Sequence, residues 1–191
     1  LFLGDDDYTS IAASLIFADC QPPKTIIVLD IDEDVLTNIR GIAADNHLNI
    51  RTYHQDFRLD FSADLANWKN RVDVIFTDPP YTMAGMGLFL HRGLELLRFE
   101  TGVIYACYGY SIQDLVMGLK FQNLLSDLKL VSRNILENFN VYNEAASIGS
   151  TSNLYTLRPA QHIKLQKDLR IAGPLYTGYS ESEKITLLSS E

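Results

Sequence analysis

The sequence predicts an α/β domain in which a mostly parallel sheet carries helices on both faces. Short, strongly apolar runs such as "TIIVLDI" alternate along the chain with longer runs that have helical spacing. Such alternation is typical of parallel strands joined by crossover helices. Near the end, two strand-like runs are joined by a short Gly/Ser/Ala loop, which predicts a closing antiparallel pair.

In the first half of the chain, strands and helices are predicted in strict alternation. "LFL" is the end of a strand, and an acidic turn and the Ala-rich helix "IAASLIFADC" follow it. "QPPK" ends that helix before the buried strand "TIIVLDI". Helical spacing in "VLTNIRGIAADN" predicts a second helix that Asn46 ends in a left-handed conformation. A shorter strand, "LNIRTYHQD", ends near Asp56, and a connection with one helical turn leads to the fourth strand, "RVDVIFTDPPY".

The second half continues the pattern and then closes the sheet. "MAGMGLFLHRGLELL" predicts a helix, "TGVIYACYGY" a fifth strand and "SIQDLVMGLKFQNLLSDL" another helix. "KLVSRNILENFNVYN" and "TSNLYTLRP" predict the antiparallel pair. We assign residues 1–158 to one catalytic domain and residues 159–191, which lack clear periodicity, to a tail or lid. Because Leu1 stands so near the acidic turn, we expect the start of the first strand and any N-terminal domain to be missing.

Composition limits the cellular setting and the cofactor classes. The 191 residues, 47% of them hydrophobic, are enough for one well-buried domain. No run reaches the ~18 apolar residues of a membrane span, and no secretory leader is visible, so we expect a cytoplasmic protein without a membrane partner. Cys20 and Cys107 lack a partner pattern, so buried reduced thiols are expected and no metal site is indicated.

The net charge of −8 is concentrated in the first part of the chain. Residues 1–34 contain eight acidic side chains and a single basic one, Lys24. A nucleic-acid-binding protein needs a basic stripe to contact phosphates, and no such stripe is visible. The charge therefore argues against a nucleic-acid partner and favours a cationic small molecule.

Acidic residues follow each of the first four predicted strands. They are Asp5 to Asp7, Asp30, Asp56 and Asp78. The carboxyl ends of parallel strands meet at one edge of a sheet, where ligands of α/β proteins bind. Helix capping could account for one acidic strand end, but four in succession predict a binding edge.

Two of these residues suit a nucleoside. Asp30 stands about 20 residues past the first turn, where a carboxylate accepts hydrogen bonds from ribose hydroxyls. Asp56 could accept from an adenine amino group, with Phe57 against the ring. The alternatives are a helix cap for Asp30, a role that Asp32 could fill instead, and a turn carboxylate for Asp56.

The first turn, "GDDD" at Gly4 to Asp7, argues against a dinucleotide. Its carboxylates would repel a pyrophosphate, because two like charges ~4 Å apart cost ~1 kcal/mol in water and more at a protein surface. A sulfonium nucleoside fits better. S-adenosylmethionine carries a carboxylate that this turn disfavours, whereas decarboxylated S-adenosylmethionine is positive at both sulfur and amine. The alternative is that the aspartates cap the first turn of a helix.

The second motif is "DPPY", Asp78 to Tyr81, at the end of the fourth strand. Pro79 and Pro80 carry no N–H, so the carbonyls and the Asp78 side chain are free to accept hydrogen bonds from an amine. Tyr81 offers an aromatic face to a cation or a base. An amine nucleophile could thus be aimed at the sulfonium carbon, although a simple proline turn is the alternative.

The order of the elements resembles the class I S-adenosylmethionine-dependent methyltransferase fold over about residues 1–158. That Rossmann-like fold implies a mostly parallel seven-stranded sheet with one antiparallel strand. "LGDDDYTS" departs from it because it lacks a G-x-G loop. The departure, together with "DPPYT" at residues 78–82, resembles a narrower family, the branched-chain polyamine synthases.

The resemblance implies an aminopropyltransferase that moves aminopropyl groups from decarboxylated S-adenosylmethionine to the central secondary amine of spermidine. It implies catalytic roles for Asp78 and for one aspartate of the first turn, for which we choose the middle residue, Asp6. The other motif residues are expected to bind polyamine: Asp5, Asp7, Pro79, Pro80 and Tyr81. The cofactor-binding residues are expected to be Gly4, Asp30, Asp56 and Phe57. Family members are dimeric, so a homodimer is possible.

Two alternatives stay open at this point. A methyltransferase could use intact S-adenosylmethionine on an amine of a nucleic-acid base or a small molecule. A ligand-binding or scaffold module, in which the acids act as caps, would bind no adenosyl sulfonium compound.

Overall fold

A computed structural model describes residues 1–18, 23–111, 114–142, 151–160, 165 and 175. Strands and helices alternate within these ranges and end in two long strands, as the sequence predicts. The strands are β1 (Phe2–Leu3), β2 (Ile26–Asp30), β3 (Ile50–His54), β4 (Val74–Thr77), β5 (Val103–Tyr108), β6 (Leu130–Val141) and β7 (Thr151–Pro159). The helices are α1 (Thr9–Phe17), α2 (Glu33–Asp45), α3 (Ala63–Ala66), α4 (Met83–Leu96) and α5 (Leu115–Asp127).

The strands form one seven-stranded sheet in the order β3-β2-β1-β4-β5-β7-β6. Strands β1 to β5 are parallel to one another, whereas β7 is antiparallel to both β5 and β6. The predicted α/β class and the closing antiparallel pair are therefore confirmed. The strand order changes direction between β1 and β4, and ligands of open α/β sheets bind at such a switch point.

Two hydrophobic clusters lie on opposite faces of the sheet, because successive strand side chains point to opposite sides. Leu3 and Leu29 belong to the larger cluster, with buried residues of α4 and α5. Phe2 and Val28 belong to the smaller cluster, with buried residues of α1 and α2. The prediction of helices on both faces is thus confirmed, and the sheet is held rigidly beneath its carboxyl edge.

Several local details differ from the sequence prediction. Helix α1 begins at Thr9 rather than at Ile11, because the preceding turn supplies acceptors for its first N–H groups. The left-handed residue that follows α2 is His47, with φ 54°, and not Asn46, whose φ is −107°. Asn46 caps the helix instead through its side chain, which donates to the Ile42 carbonyl.

Cys107 is buried and free, as expected, while Cys20 falls outside the described residues. The assignment of residues 159–191 to a tail or lid also falls mostly outside them. Among the described helices, none combines the length and the apolar character that a membrane span requires.

Candidate active site

The two sequence motifs lie side by side at the carboxyl edge of the sheet. Strands β1 and β4 are hydrogen-bonded neighbours, with Leu3 opposite Thr77. The Thr77 hydroxyl donates to the Leu3 carbonyl at 2.9 Å and joins the last residues of the two strands. The turn at Gly4 to Asp7 and the turn at Asp78 to Tyr81 therefore start from adjacent points of the edge, whereas the sequence predicted only that both lie at the same edge.

The first turn depends on two left-handed residues. Gly4 has φ +72°, and a Cβ there would lie 3.4 Å from the Phe89 ring in a conformation that L side chains rarely adopt. Tyr8 closes the turn with φ 59°, and its hydroxyl accepts a hydrogen bond from Asn38. The reversal between these two residues presents the three aspartates at the start of α1.

Asp5 points into the protein. The residue is 2% exposed, and its carboxylate accepts a hydrogen bond from the Ser10 N–H at 3.1 Å. Burial raises the pKa of Asp5 to about 6; Ser10 opposes the rise, and the charges of Asp7 and Asp30 add to it. Asp5 thus caps α1, and its predicted contact with substrate stays a prediction.

Asp6 and Asp7 are both exposed but are bonded differently. Asp7 accepts hydrogen bonds from the backbone N–H of Thr9 at 3.1 Å and from its hydroxyl at 2.8 Å. The Asp6 carboxylate has no hydrogen-bond or ion-pair partner in the described part of the chain. Asp6 is therefore the aspartate of this turn that is available to a ligand.

The second turn holds its carboxylate with two phenols. Tyr81 donates to one oxygen of Asp78 at 2.6 Å, and Tyr142 donates to the other at 2.6 Å. The two hydroxyls lie 2.7 Å apart. Asp78 as a whole residue is exposed to solvent, but each oxygen of its carboxylate is in contact with one of these two hydroxyls.

Opposing effects act on the proton affinity of Asp78. Burial of the carboxylate raises its pKa, and the hydrogen bonds from Tyr142 and Tyr81 work against that rise. The negative charges of Asp7 and Asp6 raise it further, so the two turns are electrostatically coupled. Burial also raises the pKa of the Tyr81 phenol, which therefore stays a hydrogen-bond donor at neutral pH.

Tyr142 was not identified by sequence reasoning. It lies just beyond β6, and its hydroxyl accepts from Asn140 at 2.9 Å and contacts the Ser152 hydroxyl at 3.1 Å. Asn140 also reaches the sulfur of Cys107, whose pKa burial raises to about 12. The pairing of β6 with β7 brings these side chains together, and no motif around Tyr142 signals it.

Helix α4 packs directly against the second turn. Thr82 caps the helix by accepting from the Gly85 N–H at 2.9 Å, and it donates to the carbonyl of Leu175 at 2.9 Å. A Cβ at Gly85 would lie 2.8 Å from atoms of Pro80, so only glycine allows this approach. Pro79 is buried and Pro80 is half-buried, which leaves the rest of the motif to face the edge of the sheet.

Asp30, the last residue of β2, is 8% exposed and braces the first turn. One of its oxygens accepts from the Asp5 N–H at 2.9 Å, and the other accepts from the Asp32 N–H at 2.9 Å. Asp32, and not Asp30, caps α2 by accepting from Asp34 and Val35. The predicted ribose contact of Asp30 would use the lone pairs that remain.

Asp56 and Phe57 lie just past β3. Both oxygens of Asp56 accept from Arg58, and this pairing lowers the pKa of Asp56 although partial burial opposes the change. Phe57 is 6% exposed and packs edge-to-face on Phe89, with 4.6 Å between ring centroids. An adenine contact of Asp56 would therefore compete with its ion pair to Arg58, and an adenine contact of Phe57 would compete with its packing on Phe89.

Two concavities in the described residues lie away from the carboxyl edge. One, of about 330 Å³, is lined in part by Leu94, Leu97 and Phe99; the other, of about 450 Å³, by Arg51, Tyr53 and Trp68. Neither has the paired carboxylates and the switch-point position that favour the edge formed by the two motifs. No group of three or more potential metal ligands occurs among the residues that the structure describes.

The chain is similar to known proteins over most of its length. The family model "Branched-chain polyamine synthase A C-terminal domain" matches residues 1–168. The chain is 37% identical over 152 residues to an uncharacterised protein of Methanocaldococcus jannaschii, a match that covers 80% of this chain and 36% of that protein. It is 33% identical over 144 residues to the N(4)-bis(aminopropyl)spermidine synthase of the same organism, covering 74% of this chain and 39% of that protein.

Solved structures give the same answer for the fold. The branched-chain polyamine synthase of Thermus thermophilus, in complex with N4-aminopropylspermidine and 5′-methylthioadenosine, matches with a TM-score of 0.75 and 26% identity. The match covers 92% of this chain and 54% of that one. Aeropyrum pernix fibrillarin with bound S-adenosyl-L-methionine matches with a TM-score of 0.56 and 16% identity over 82% of this chain and 64% of that one, which confirms the methyltransferase-like fold alone.

The extent of these matches defines what they establish. The chain spans less than two fifths of the length of the curated relatives that it matches. The family model, in contrast, covers most of the chain and includes both acidic turns, β1 to β7 and the helices between them. The chain therefore belongs to the branched-chain polyamine synthase A C-terminal domain family.

Proposed function

We propose that the chain carries the catalytic site of an aminopropyltransferase that uses decarboxylated S-adenosylmethionine and a polyamine such as spermidine. The observation that carries the proposal is the pairing of a free carboxylate, Asp6, with a hydrogen-bonded carboxylate, Asp78, at the switch point of the sheet. The Thermus thermophilus relative of the same fold was crystallised with N4-aminopropylspermidine and 5′-methylthioadenosine, the two products of such a transfer.

The donor is favoured by charge. Asp6 and Asp7 are exposed in the turn that follows β1, and their negative charges raise the pKa of Asp78. A donor that is positive at sulfur and at its terminal amine gains from this field, whereas the carboxylate of intact S-adenosylmethionine loses. Asp30 and Gly4 are proposed to contact the nucleoside near the ribose, and Asp56 and Phe57 near the adenine.

The acceptor is a polyamine, whose central nitrogen must approach the carbon next to the sulfonium. Asp78 and the Pro79 and Pro80 carbonyls are proposed to hold this nitrogen, with Tyr81 against a neighbouring methylene or ammonium group. Asp5 and Asp7 would contribute negative charge along the rest of the polyamine. Asp6 is proposed to stand next to the reacting nitrogen, because it alone in its turn keeps both oxygens free among the described residues.

The transfer itself is a direct displacement. The nitrogen lone pair forms a bond to the carbon beside the sulfonium, the carbon–sulfur bond breaks, and its electron pair neutralises the sulfur as a thioether. The amine, with a pKa near lysine's ~10.4, must release a proton, and Asp6 offers that proton a nearby acceptor. Orientation by the two turns and stabilisation of the cations are expected to contribute more than the basicity of Asp6.

A product assay tests this proposal. The full-length protein is incubated with decarboxylated S-adenosylmethionine and spermidine, and the products are separated by liquid chromatography and identified by mass spectrometry. We expect 5′-methylthioadenosine together with a polyamine that is heavier by one or more aminopropyl units. A methylated amine formed from intact S-adenosylmethionine would instead support the methyltransferase alternative. Absence of binding to either sulfonium compound would support a non-enzymatic module.

Three further predictions about the protein stay proposals. We expect a homodimer, a cytoplasmic location and no nucleic-acid partner, the last because the net charge is −8 and no basic stripe is visible.

Residues 159–191 are proposed to act as a tail or lid. The contact of Leu175 with Thr82 supports this proposal, because it places Leu175, one residue of this segment, beside the end of the second turn.

A further inference from the structure

The bonding of Asp78 identifies a residue outside both motifs. Its two oxygens accept one hydrogen bond each from phenols, from Tyr81 at 2.6 Å and from Tyr142 at 2.6 Å. Tyr81 belongs to the same turn, but Tyr142 reaches Asp78 across 64 positions of sequence, from the far end of β6. The second phenol is therefore supplied by the antiparallel part of the sheet.

The direction of each hydrogen bond around Tyr142 follows from the donors and acceptors present. An ionised carboxylate only accepts, so the hydroxyl proton of Tyr142 points to Asp78. The Asn140 amide nitrogen only donates, so it fills one lone pair of the Tyr142 oxygen, at 2.9 Å. The Ser152 hydroxyl, 3.1 Å away, can then donate to the other lone pair. Tyr81, 2.7 Å away, has its own proton directed to Asp78.

We propose that Tyr142, supported by Asn140 and Ser152, is a positioning residue that fixes the Asp78 carboxylate in one orientation and in its ionised form for the acceptor amine. The inference rests on the proposed function of the site. With two donors on Asp78, its remaining lone pairs point in fixed directions. A protonated Asp78 would donate from one of its oxygens, so the phenol at that oxygen would have to turn its own proton away and become the acceptor.

Each neighbouring element contributes a charged or titratable group that acts on Asp78. Asp6 and Asp7 come from the turn before α1, Tyr81 from the turn of Asp78 itself, Cys107 from β5 and Tyr142 from beyond β6. The two aspartates and burial favour protonation of Asp78, while the two phenols oppose it. Cys107 stays a neutral thiol at neutral pH, because burial raises its pKa to about 12. Loss of the Tyr142 hydroxyl would shift this balance toward protonated Asp78.

Carboxyl-carbon NMR of the full-length protein labelled with ¹³C-aspartate tests the proposal without any assay of activity. The Asp78 resonance is assigned by its absence from Asp78→Asn, and its pKa is compared between wild type and Tyr142→Phe. We expect the pKa to be higher by about one to two units in Tyr142→Phe, the effect of losing a hydrogen bond to a charged group. Tyr105→Phe is the matched control, because the Tyr105 hydroxyl has no hydrogen bond in the described part of the chain. An unchanged Asp78 pKa in Tyr142→Phe would overturn the proposal.

Ser152→Ala provides a milder variant if Tyr142→Phe folds poorly. It removes one donor to the Tyr142 oxygen, so we expect a smaller shift of the Asp78 pKa in the same direction. A shift in the opposite direction, or none, would contradict the network described above.

Kinetics then connect the titration to the reaction. In the pH profile of kcat/KM for spermidine, we expect the pKa of the acidic limb to be higher in Tyr142→Phe by the same amount as the Asp78 pKa. When Tyr142→Phe is combined with Asp78→Asn, we expect kcat/KM to fall no further than in Asp78→Asn alone. An unmoved limb, or additive losses, would show a merely structural role. If wild type transfers no aminopropyl group, the proposed function fails, while the titration still decides the role of Tyr142.

Discussion

The two acidic turns lie on adjacent strands, yet they hold their carboxylates by different means. In the turn after β1, Asp5 is bonded by Ser10, five positions later in the chain, and Asp7 by Thr9, two positions later. In the turn after β4, Asp78 is bonded by Tyr81 from the same turn and by Tyr142 from beyond β6. The backbone of the first turn is braced by Asp30 of β2, but among the described residues its carboxylates are bonded only by nearby residues, whereas the carboxylate of the second turn depends on the pairing of the distant strands β6 and β7.

Because of this difference, we expect the two turns to have different roles in the proposed site. Local bonding uses two carboxylates of the first turn as helix caps and leaves Asp6 free to meet a cationic ligand. Long-range bonding gives Asp78 a fixed direction, as required for an acceptor that must be aimed. Both turns are negative, so they attract the same cations, but of the aspartates Asp5, Asp6, Asp7 and Asp78 only Asp78 has its carboxylate bonded, within the described part of the chain, by a side chain from a distant part of the sheet.

The largest effect is expected for Asp78→Asn. An amide donates as well as accepts, so it cannot accept both phenol protons and hold the amine, and we expect turnover to fall by about 10³- to 10⁴-fold. The measurement is the rate of 5′-methylthioadenosine release by the full-length protein. Asp127→Asn, an exposed change at the end of α5, is the control and should leave the rate unaltered. A fully active Asp78→Asn would remove the second turn from the site.

The division within the first turn predicts unequal effects of its aspartates. We expect Asp6→Asn to reduce turnover by at least about 10²-fold, because Asp6 is the proposed partner of the reacting nitrogen. Asp7→Asn should reduce it by less than about tenfold, since the Asn oxygen can still accept from Thr9. Steady-state rates with spermidine as the varied substrate make the comparison. Equal losses in both variants would mean that the turn acts only through its total charge.

Asp5 predicts a pH dependence of stability. Its pKa is about 6 in the folded protein and 3.8 in a model peptide, so the folded state binds the proton more tightly. The contribution of Asp5 to the free energy of unfolding is therefore fully present below pH 4 and is lost as the pH rises from 4 through 6. We expect Asp5→Asn, whose side chain does not titrate, to be more stable than wild type at pH 7 and above by about 3 kcal/mol, an advantage that disappears below pH 4. Urea unfolding at several pH values measures this difference; a constant difference across the range would contradict the assignment.

The smallest effect concerns the packing of α4 against the second turn. Gly85→Ala places a Cβ 2.8 Å from Pro80, and we expect a loss of about 1–3 kcal/mol in the free energy of unfolding. Gly41→Ala in α2 is the matched control, because nothing lies within 4 Å of a Cβ there. The control should gain about 0.5–1 kcal/mol, as expected for alanine replacing an exposed helical glycine. Similar changes in both variants would show that the approach to Pro80 does not constrain the turn.

Sequence reasoning reached the sheet and both turns because each depends on local patterns. Apolar runs at the right spacing predicted each strand found in the described residues, and the acidic residues after β1 and β4 were visible without a structure. Tyr142 could not be predicted in this way, because its role arises only when β6 and β7 pair and bring it to Asp78. The same holds for Phe57, whose contact with Phe89 of α4 makes it a core residue as well as a candidate for adenine binding.

The role of Asp30 shows a further limit. Its position after β2 predicted a carboxylate near a ribose. In the structure, its two oxygens accept hydrogen bonds from the backbone N–H groups of Asp5 and Asp32. A strand end that points to a ligand and one that stabilises a turn have the same sequence signal. Only the hydrogen bonds separate the two roles.

The central claim is that the negative carboxyl edge selects a doubly positive adenosyl donor. Isothermal titration calorimetry of the full-length protein with decarboxylated S-adenosylmethionine and with intact S-adenosylmethionine tests it most directly. We predict tighter binding of the decarboxylated compound, with a preference that weakens as salt is raised, because screening reduces the attraction. Equal or tighter binding of the compound that carries the carboxylate would contradict the account.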